Sequence, residues 1–255
     1  MRLIDLSLTL EATPSEPVPV EIEYIDHARG ADILGQPIGI DRNAFPEKMG
    51  LSLEYVRCTT HSGTHIDAPH HYGVLCEGKP AKTIDELPLD WFFHPGVRLD
   101  CRRDSVDQSV GVSEIQEQLR EINYRLKPFD IVLLYTGAEE KWGEPEYFTH
   151  FRGVSREATA WLIEQGIKVI GVDSFGFDPP FGQMLDRYRQ QKRQDVLWPA
   201  HFYGRQREYC QIERLTNLAK IPVSTGFTVA CFPIKVRGCG AGWSRVVAIV
   251  PESSD

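Results

Sequence analysis

The 255-residue sequence lacks the features that mark several classes of protein. Its net charge of -8 leaves no cationic excess for the phosphates of nucleic acids, which bind to basic surfaces. No apolar run approaches the roughly 20 residues of a membrane-spanning helix. The first residues, MRLIDLSLTL, interrupt their apolar run with Asp5 and have no small-residue cleavage site, so they are not typical of a signal peptide. These absences predict a cytoplasmic protein that binds neither nucleic acid nor membrane.

The sequence also lacks any C-x-x-C pair, the spacing typical of zinc ribbons and redox motifs. Six cysteines are scattered along the chain, at Cys58, Cys76, Cys101, Cys210, Cys231 and Cys239. Without an export signal, we expect them to be free thiols in a reducing compartment. The sequence therefore does not predict a thiolate metal site.

The spacing of apolar residues predicts alternating helices and strands. Apolar side chains recur at helical spacing over residues 113–126, where Ser113 and Gln116 have the form of a capping box. The runs DIVLLYTG and IKVIGVDS predict buried strands, and SREATAWLIEQ between them predicts a helix that begins at Ser155 and ends before Gly166. This order predicts an α/β fold in which helices pack on a sheet.

Less regular segments complete the predicted organisation. RLIDLSLTL and LSLEYVRCTT are read as strands, and residues 28–50 as an irregular flap because glycine and proline are frequent there. Residues 182–196 are predicted to be an exposed helix or insertion. Two strands around a glycine-rich turn are predicted for the C-terminal segment GFTVACFPIKVRGCGAGWSRVVAIV. No repeat or linker interrupts the chain, so we predict a single domain over residues 1–255.

Residues 61–72, HSGTHIDAPHHY, contain four of the eight histidines. Positions of one parity carry His61, Gly63, His65, Asp67, Pro69 and His71, which share one side of an extended chain. A straight strand would place His61 and His65 ~13 Å apart, whereas nitrogens bound to one ion lie within about 4 Å of each other. The chain must therefore curl, and Gly63 and Pro69 permit it. Imidazole and carboxylate ligands suit Zn²⁺ or Mn²⁺; the alternative, a surface loop that is histidine-rich by chance, accounts less well for this spacing.

HSGTHIDAPHH resembles the H-x-G-T-H-x-D-x-P-x-H signature of the cyclase family of metal-dependent hydrolases, which includes kynurenine formamidases, isatin hydrolases and polyketide ring cyclases. The resemblance implies that His61, His65 and Asp67 bind a metal and that His71 is the acid/base. His70 occupies a variable position of the signature and is expected to point away. The resemblance also implies an α/β fold with a mixed β-sheet core flanked by helices, swivelling β/β/α-like, and a homo-oligomer, either dimer or tetramer.

A second resemblance lies in AHFYGRQREYCQIERLTNL, where His201 precedes Glu213 by twelve residues. Members of the family with two metals have this pair, so the resemblance implies a second ion with Asp67 and Glu213 bridging. Other members carry glutamine at the position of Glu213 and hold one ion. One or two divalent ions per subunit are therefore expected.

The branch of the family is indicated by TIDELPLDWFF, GFDPPFGQMLDRYR and STGFTVACFPIKVRGCGAGWSR, which resemble later-ring cyclases of anthracycline- and tetracycline-type polyketide clusters. The resemblance implies a metal-dependent cyclase that closes a ring of a polycyclic aromatic substrate, with or without dehydrating it, and His71 moves the proton. The alternative is an amidohydrolase of the kynurenine formamidase or isatin hydrolase type. A third reading, a metal-stabilised binding module, predicts a closed coordination sphere.

Three further groups of residues are candidates with open roles. Asp173 ends a buried strand, where it either orients a ligand or caps the next element. His94 is interpreted as structural or pocket-lining. Aromatic residues that are either core or substrate-stacking are Trp91, Phe92, Phe175 and Phe177. The sequence does not single out substrate-binding residues.

Overall fold

The computed structural model describes residues 1–252. Its β-strands are β1 (Arg2–Asp5), β2 (Glu21–Ile25), β3 (Leu53–Arg57), β4 (His65–Asp67), β5 (Leu75–Cys76), β6 (Lys79–Pro80), β7 (Phe93–Asp100), β8 (Ile131–Tyr135), β9 (Val169–Val172), β10 (Cys210–Glu213), β11 (Phe227–Ala230), β12 (Ala241–Trp243) and β13 (Val247–Val250). The α-helices are α1 (His27–Gly35), α2 (Pro69–Tyr72), α3 (Val112–Glu121), α4 (Arg156–Glu164), α5 (Phe181–Gln191) and α6 (Pro199–Tyr203). Short 3₁₀ helices span Gln36–Ile38, Arg42–Ala44, Pro46–Lys48, Ile84–Glu86, Leu89–Trp91, Ala138–Lys141, Pro145–Phe148, Gln194–Val196 and Leu218–Lys220.

A nine-stranded mixed sheet organises the fold, in the order β1-β13-β11-β7-β8-β9-β10-β4-β12. Its centre, β7 to β10, is parallel, and the pairs toward both edges are antiparallel. The parallel centre follows from the helix–strand alternation of residues 112–172, since parallel neighbours need a crossover connection. Two separate ribbons are formed by β2 with β3 and by β5 with β6. The prediction of an α/β fold with a mixed sheet flanked by helices is confirmed.

Side chains of the central strands enter two cores on opposite faces of the sheet. From β8, Val132 and Leu134 pack with α3 and α4, while Ile131 and Leu133 enter the other core. That other core also holds Ile66 of β4 and Ala248 of β13, which lie near opposite ends of the strand order. The sheet therefore curls around this core, and the curl brings its far strands together.

The two predicted helix starts had different outcomes. Ser155 caps α4 as predicted, because its side chain accepts a hydrogen bond of 3.1 Å from the Ala158 amide. Helix α3 begins earlier than predicted, with Gly111 as its N-cap, so Ser113 lies within the first turn. A serine at that position cannot cap the helix, and the predicted capping box is wrong.

The irregular flap predicted for residues 28–50 is also wrong in its first part, which forms α1 and is capped by Asp26. Its glycines serve close packing. A Cβ at Gly30 would lie 2.0 Å from the Leu51 carbonyl oxygen, and one at Gly35 would lie 2.2 Å from that of Ile40. The frequent glycines, which indicated a loop, instead allow the residues after α1 to approach the helix closely.

The remaining segments agree with the sequence more closely. Helix α5 and a 3₁₀ turn cover residues 182–196, as expected for an exposed helix. The C-terminal segment contains three strands, β11 to β13, where two were predicted. All six cysteines are unpaired. Among residues 1–252, no helix has the length and apolar composition needed to cross a bilayer.

Candidate metal centre

Strands β4 and β10 supply the buried carboxylates of the candidate site. They pair antiparallel, with His65 opposite Glu213 and Asp67 opposite Gln211. Directly opposed residues, and residues two apart on one strand, project from the same face of a sheet. The register therefore places His65, Asp67 and Glu213 on one face, where all three are buried.

Residues 61–72 curl rather than run extended. Gly63 has a φ of 62°, in the left-handed region that favours glycine, and the strand itself covers only His65–Asp67. The curl predicted at Gly63 and Pro69 is present, since Pro69 begins the short helix α2, although the shared side of an extended chain does not continue beyond Asp67. Proline fits the first helical position because its fixed φ is already helical.

Helix α2 separates the two neighbouring histidines, as predicted. His71 lines a cavity beside Asp67, with 4.0 Å between its Nε2 and Oδ2 of the aspartate. His70 is exposed and is not among the residues that line this cavity. A close approach of α6 helps to fix the helix, because a Cβ at Gly204 would lie 2.1 Å from the ring of Tyr72.

All six residues predicted to form the site meet around Asp67. His61 Nδ1 lies 2.9 Å from Asp67 Oδ1, and His65 Nε2 lies 3.4 Å from the same oxygen. On the other side, His201 Nε2 is 3.7 Å from Asp67 Oδ2 and 3.6 Å from Glu213 Oε1. Glu213 Oε2 is 3.5 Å from His65 Nε2. With His71 beside them, the predicted residues form one cluster; their individual roles stay predictions.

The cluster fits a metal ion better than it fits a network of hydrogen bonds. Separations of 3.4–3.7 Å exceed normal hydrogen-bond lengths, but they suit atoms that share an ion at about 2.1 Å from each. The buried Nε2 of His65 and both carboxylate oxygens of Asp67 have no hydrogen-bond partner among the described residues. Buried polar groups without partners are rare and costly. Two sets of donor atoms lie close enough to hold an ion, His61–Asp67–His71 and His65–Asp67–Glu213.

Further hydrogen bonds hold the imidazole rings in place. Asp178 accepts hydrogen bonds from the His201 amide at 3.0 Å and the Ala200 amide at 2.8 Å, and its Oδ2 lies 2.6 Å from His201 Nδ1. The ring therefore presents Nε2 to the cluster. His65 Nδ1 lies 2.9 Å from the Gly63 carbonyl oxygen, with the same result. Such partners of metal-binding histidines fix the tautomer and ring orientation.

The pKa shifts of the buried side chains show that positive charge is favourable in the cluster. Burial alone lowers the pKa of His65, but the carboxylates of Asp67 and Glu213 raise it to about 9. His201 shows the same balance, in which Asp178 and Asp67 overcome burial and raise its pKa to about 10. For Asp67, burial raises the pKa, yet the nearby histidines hold it well below its usual range. The carboxylates thus stay ionised, as ligands of a cation must.

His71 differs from His65 and His201 because its neighbouring carboxylates do not overcome burial, which lowers its pKa below the usual 6.5. Its imidazole is therefore neutral near pH 7, and it faces a cavity of about 590 Å³ that also reaches His61 and His201. Aromatic residues on the walls are Phe148, Phe151, Phe175, Phe177, Phe181 and Trp198. A proton acceptor and the candidate ligands thus share one aromatic-lined cavity.

Of the other candidates from the sequence, Asp173, His94, Trp91 and Phe92 lie apart from the ligands, whereas the Phe177 amide donates a 2.8 Å hydrogen bond to Oε1 of Glu213. Asp173 is buried and accepts hydrogen bonds from Thr136 and Glu139, so it holds the chain after β8. His94 stacks on Phe129, and its Nε2 contacts the Asp90 carbonyl oxygen. Trp91 and Phe92 belong to the core, whereas Phe175 and Phe177 line the cavity.

Sequence reasoning missed three residues that support the site: Asp178, Glu16 and Arg214. Asp178 orients His201, while Glu16 and Arg214 form a buried ion pair next to Gly63. The only local signal was the position of Arg214 directly after Glu213 and of Asp178 within the quoted GFDPPFG. Their partners come from distant parts of the chain, so spacing does not reveal them.

Comparisons with known proteins agree with this geometry. Residues 4–179, more than half of the chain, match the family model Cyclase, described as "Putative cyclase". A kynurenine formamidase of Bacillus cereus is 35% identical over 145 residues, 56% of this chain and 61% of that protein. That of Bordetella petrii is 29% identical over 149 residues, 57% of this chain and 63% of that protein. The chain thus spans about three fifths of the length of these relatives.

Solved structures show the same fold. Isatin hydrolase A from Ralstonia solanacearum superposes with a TM-score of 0.76 at 23% identity, covering 98% of this chain and 92% of that one. An isatin hydrolase bound to the product analogue thioisatinate gives 0.75 at 21% identity, with coverage of 98% and 92%. Together with the match over residues 4–179, these findings show that the chain belongs to the cyclase family.

Proposed function

We propose that the protein is a metal-dependent amidohydrolase that opens a cyclic amide or removes an N-formyl group from a small aromatic substrate. The observation that carries the proposal is the cluster around Asp67, in which His61, His65, His201 and Glu213 lie at ion-sharing distances. Relatives named kynurenine formamidase and a shared fold with isatin hydrolases support the same class of reaction.

The ligands follow from the two faces of Asp67. His61 and His65 lie nearest Oδ1 of Asp67 and His201 lies nearest Oδ2, while Glu213 lies between His65 and His201. The donors close enough to share an ion group as His61–Asp67–His71 and His65–Asp67–Glu213, so the division of the ligands between ions is proposed from the family resemblance. A divalent ion bound there supplies a Lewis acid for the substrate carbonyl and lowers the pKa of water. Zn²⁺ and Mn²⁺ both suit these nitrogen and oxygen ligands, and the number of ions stays a prediction.

His71 carries the proton in this proposal. Its imidazole is neutral because burial lowers its pKa, and its side chain is 36% exposed to the cavity. It accepts a proton from the water that attacks the amide carbonyl and donates it to the departing nitrogen, so that an amine leaves rather than its anion. A neighbour that is exposed outside the cavity, His70, has no access to either proton.

The aromatic walls set the class of substrate. Phe175 and Phe177 follow directly from strand β9, and Phe148 and Phe151 come from the segment before α4. Flat aromatic side chains stabilise an aromatic substrate by stacking and exclude water from the ligands. The proposed substrate is therefore a small amide that carries an aromatic ring.

A second candidate function is closure of a ring in an aromatic polyketide, the main prediction from the sequence. One observation favours it: the cavity extends to Phe181 and Trp198, which stack at 5.3 Å and are both partly exposed. This outer pair would hold the additional rings of a polycyclic substrate. The names of the relatives favour hydrolysis, so cyclisation is placed second.

The test offers three substrates to the metal-loaded protein: N-formylkynurenine, isatin and an aromatic polyketide with its last ring open. Turnover of either amide is expected, and His71→Ala should lower kcat by about 10²–10⁴-fold, as for other general acid–base residues. His70→Ala is the matched control and should retain the activity of the unaltered protein. Turnover of the polyketide alone would contradict the hydrolase proposal and support the cyclase proposal. No turnover of any of the three substrates would contradict both proposals.

The homo-oligomer stays a proposal as well, and size-exclusion chromatography with light scattering tests it. Ribbon β2–β3 offers a surface for such an assembly, since Tyr24, Leu53, Tyr55 and Val56 are exposed on it. An isolated two-stranded ribbon has little stability in water. A monomer at all concentrations would contradict the proposed assembly.

A further inference from the structure

Among residues 1–252, two arginine–glutamate pairs are largely buried, and one of them lies at the metal centre. Arg152 pairs side by side with Glu114 of helix α3, at 3.0 and 2.9 Å. Arg214 and Glu16 pair at 2.6 Å with both carboxylate oxygens, and the side chains are 6% and 3% exposed. Burying a charged pair has a large desolvation cost, so the presence of such a pair is by itself weak evidence of a stabilising role.

Glu16 contacts the metal-binding loop directly. Its Oε1 accepts a 2.8 Å hydrogen bond from the amide of Gly63, the residue midway between His61 and His65. Gly63 is buried and has the positive φ that curls the loop. It precedes strand β4, and Glu16 is the acceptor that satisfies its buried amide.

Arg214 connects the same carboxylate to the opposite side of the centre. It follows Glu213 with a φ of 63°, in the left-handed region, which costs energy for a residue with a side chain. Its Nε donates to the Phe175 carbonyl oxygen at 3.1 Å, and its guanidinium lies 4.0 Å over the ring of Phe175. Its own carbonyl oxygen accepts a hydrogen bond from the hydroxyl of Thr64.

These contacts join four segments at one point: the N-terminal loop, the curl at Gly63, the end of β10 and the cavity wall at Phe175. We propose that the Glu16–Arg214 pair positions the metal ligands, holding the curl at Gly63 so that His61 and His65 both reach Oδ1 of Asp67. Both are positioning residues, since neither belongs to the donor sets that lie close enough to hold an ion, although Arg214 also lines the cavity. The inference rests on the proposed function for the metal, but not on the identity of the substrate.

The reason that a charged pair is needed lies in the hydrogen bond to Gly63. A neutral acceptor would bind the amide more weakly, because hydrogen bonds to ionised groups are about twice as strong as neutral ones. Arg214 supplies the opposite charge that the buried Glu16 requires and fixes both of its oxygens. Loss of either partner leaves the Gly63 amide with a poor acceptor and lets the curl relax.

The experiment compares Glu16→Gln with Glu114→Gln, which breaks the second buried pair in the same way. Each 255-residue variant is stripped of metal and titrated with MnCl₂ and with ZnCl₂ by calorimetry, and its thermal unfolding is recorded. Both variants should unfold at lower temperature. Glu16→Gln alone should weaken metal binding by about 10–100-fold, the range for residues that orient metal ligands. Arg214→Lys, with Arg152→Lys as its control, should repeat the result, because lysine lacks the fork that reaches both Glu16 and Phe175.

The outcomes separate this inference from the proposed function. Equal metal affinity in the unaltered protein and in Glu16→Gln and Arg214→Lys would overturn the positioning role and leave the pair merely structural. An equal loss of affinity in Glu114→Gln would overturn it too, since any destabilised variant would then bind metal poorly. Lack of turnover with tight Mn²⁺ binding and a selective loss in Glu16→Gln would contradict the amidohydrolase while upholding this inference. If Glu16→Gln does not fold, the arginine variants decide.

Discussion

Two buried aspartates, each at the C-terminal end of a strand, have opposite surroundings. Asp173 follows β9 and accepts hydrogen bonds from the Thr136 amide at 2.8 Å, the Thr136 hydroxyl at 2.7 Å and the Glu139 amide at 3.3 Å. Asp67 ends β4 and accepts no well-aligned hydrogen bond on either oxygen, although four histidine nitrogens lie 2.9–4.0 Å away. Both residues are 0% exposed.

The difference shows how a buried carboxylate reveals its role. Hydrogen bonds from the protein compensate the desolvation of the buried Asp173 carboxylate, so its burial requires no bound cation. Asp67 is surrounded by ligand-type side chains but receives no comparable compensation, and a cation is what supplies it. The sequence left open whether Asp173 orients a ligand or holds an element, and its contacts favour the second.

The largest expected effect comes from Asp67→Asn, which removes the central charge but retains the shape. We expect metal binding to be lost and kcat/KM to fall by at least about a thousandfold, or about 4 kcal/mol, because the Lewis acid contributes several kcal/mol. Metal content by mass spectrometry and turnover of the preferred amide measure both. Asp173→Asn is the control and should keep its metal. If the Asp173→Asn variant lost its metal and the Asp67→Asn variant kept it, Asp173 rather than Asp67 would be the metal-binding aspartate.

The next effect concerns pH. Burial raises the pKa of Asp173 from 3.8 to about 6 despite its hydrogen bonds. An acid whose pKa is higher in the folded state binds protons there more tightly, so its stabilising contribution is complete below pH 3.8 and is lost as pH rises through about 6. A shift of about 2 units corresponds to about 3 kcal/mol. Relative to Asp173→Asn, the unaltered protein should therefore lose about 3 kcal/mol of unfolding free energy between about pH 4 and about pH 7.

Chemical denaturation at several pH values measures this difference. The variant has a constant charge at position 173, so the difference between the two proteins isolates the titration of one carboxyl group. A difference that stays constant over this pH range would show that folding does not raise the pKa of Asp173, and its surroundings would then resemble those of Asp67 more closely.

Metal removal should lower the free energy of unfolding by slightly less than the titration of Asp173 does. An ion at about 100 times its dissociation constant stabilises the folded state by about 2.7 kcal/mol, which corresponds to about 5–11 °C in Tm for a chain of this size. Scanning calorimetry with and without a chelator measures the shift. Asp67→Asn should abolish the shift and Asp173→Asn should retain it. A chelator without effect on the unaltered protein would contradict a metal at Asp67.

The sequence predicted the cluster well where its residues are close along the chain. Ligand types and a glycine that permits the curl occur together in residues 61–72, so local spacing alone made His61, His65, Asp67 and His71 candidates, and the family resemblance implied which of them bind metal. His201 and Glu213 became candidates only through that resemblance, because the pairing of β10 with β4 is what brings Glu213 opposite His65. Long-range sheet register does not follow from local spacing.

Residues that support the cluster were missed for the same reason. Asp178, Glu16 and Arg214 each find their partners far along the chain, and the separation between Glu16 and Arg214 is 198 residues. In the fold, the central strands were predictable from continuous apolar runs, since a strand buried on both faces needs no polar side. Helix α1 was not, because its glycines indicate a loop but serve close packing.

The smallest effect probes the hydrogen bonds that separate the two aspartates. Thr136→Val retains the shape of the side chain but removes the hydroxyl that donates to Asp173 at 2.7 Å. A hydrogen bond to a charged group contributes about 1.5–3 kcal/mol, so the unfolding free energy should fall by about 2 kcal/mol. Thr136→Ser, which keeps the donor, should lose less. Metal affinity should not change in either variant, because Asp173 is compensated by the protein alone. A weakened Mn²⁺ affinity in Thr136→Val would instead show that the surroundings of Asp173 influence the metal site. The contrast between a structural carboxylate and a metal-binding one would then be wrong.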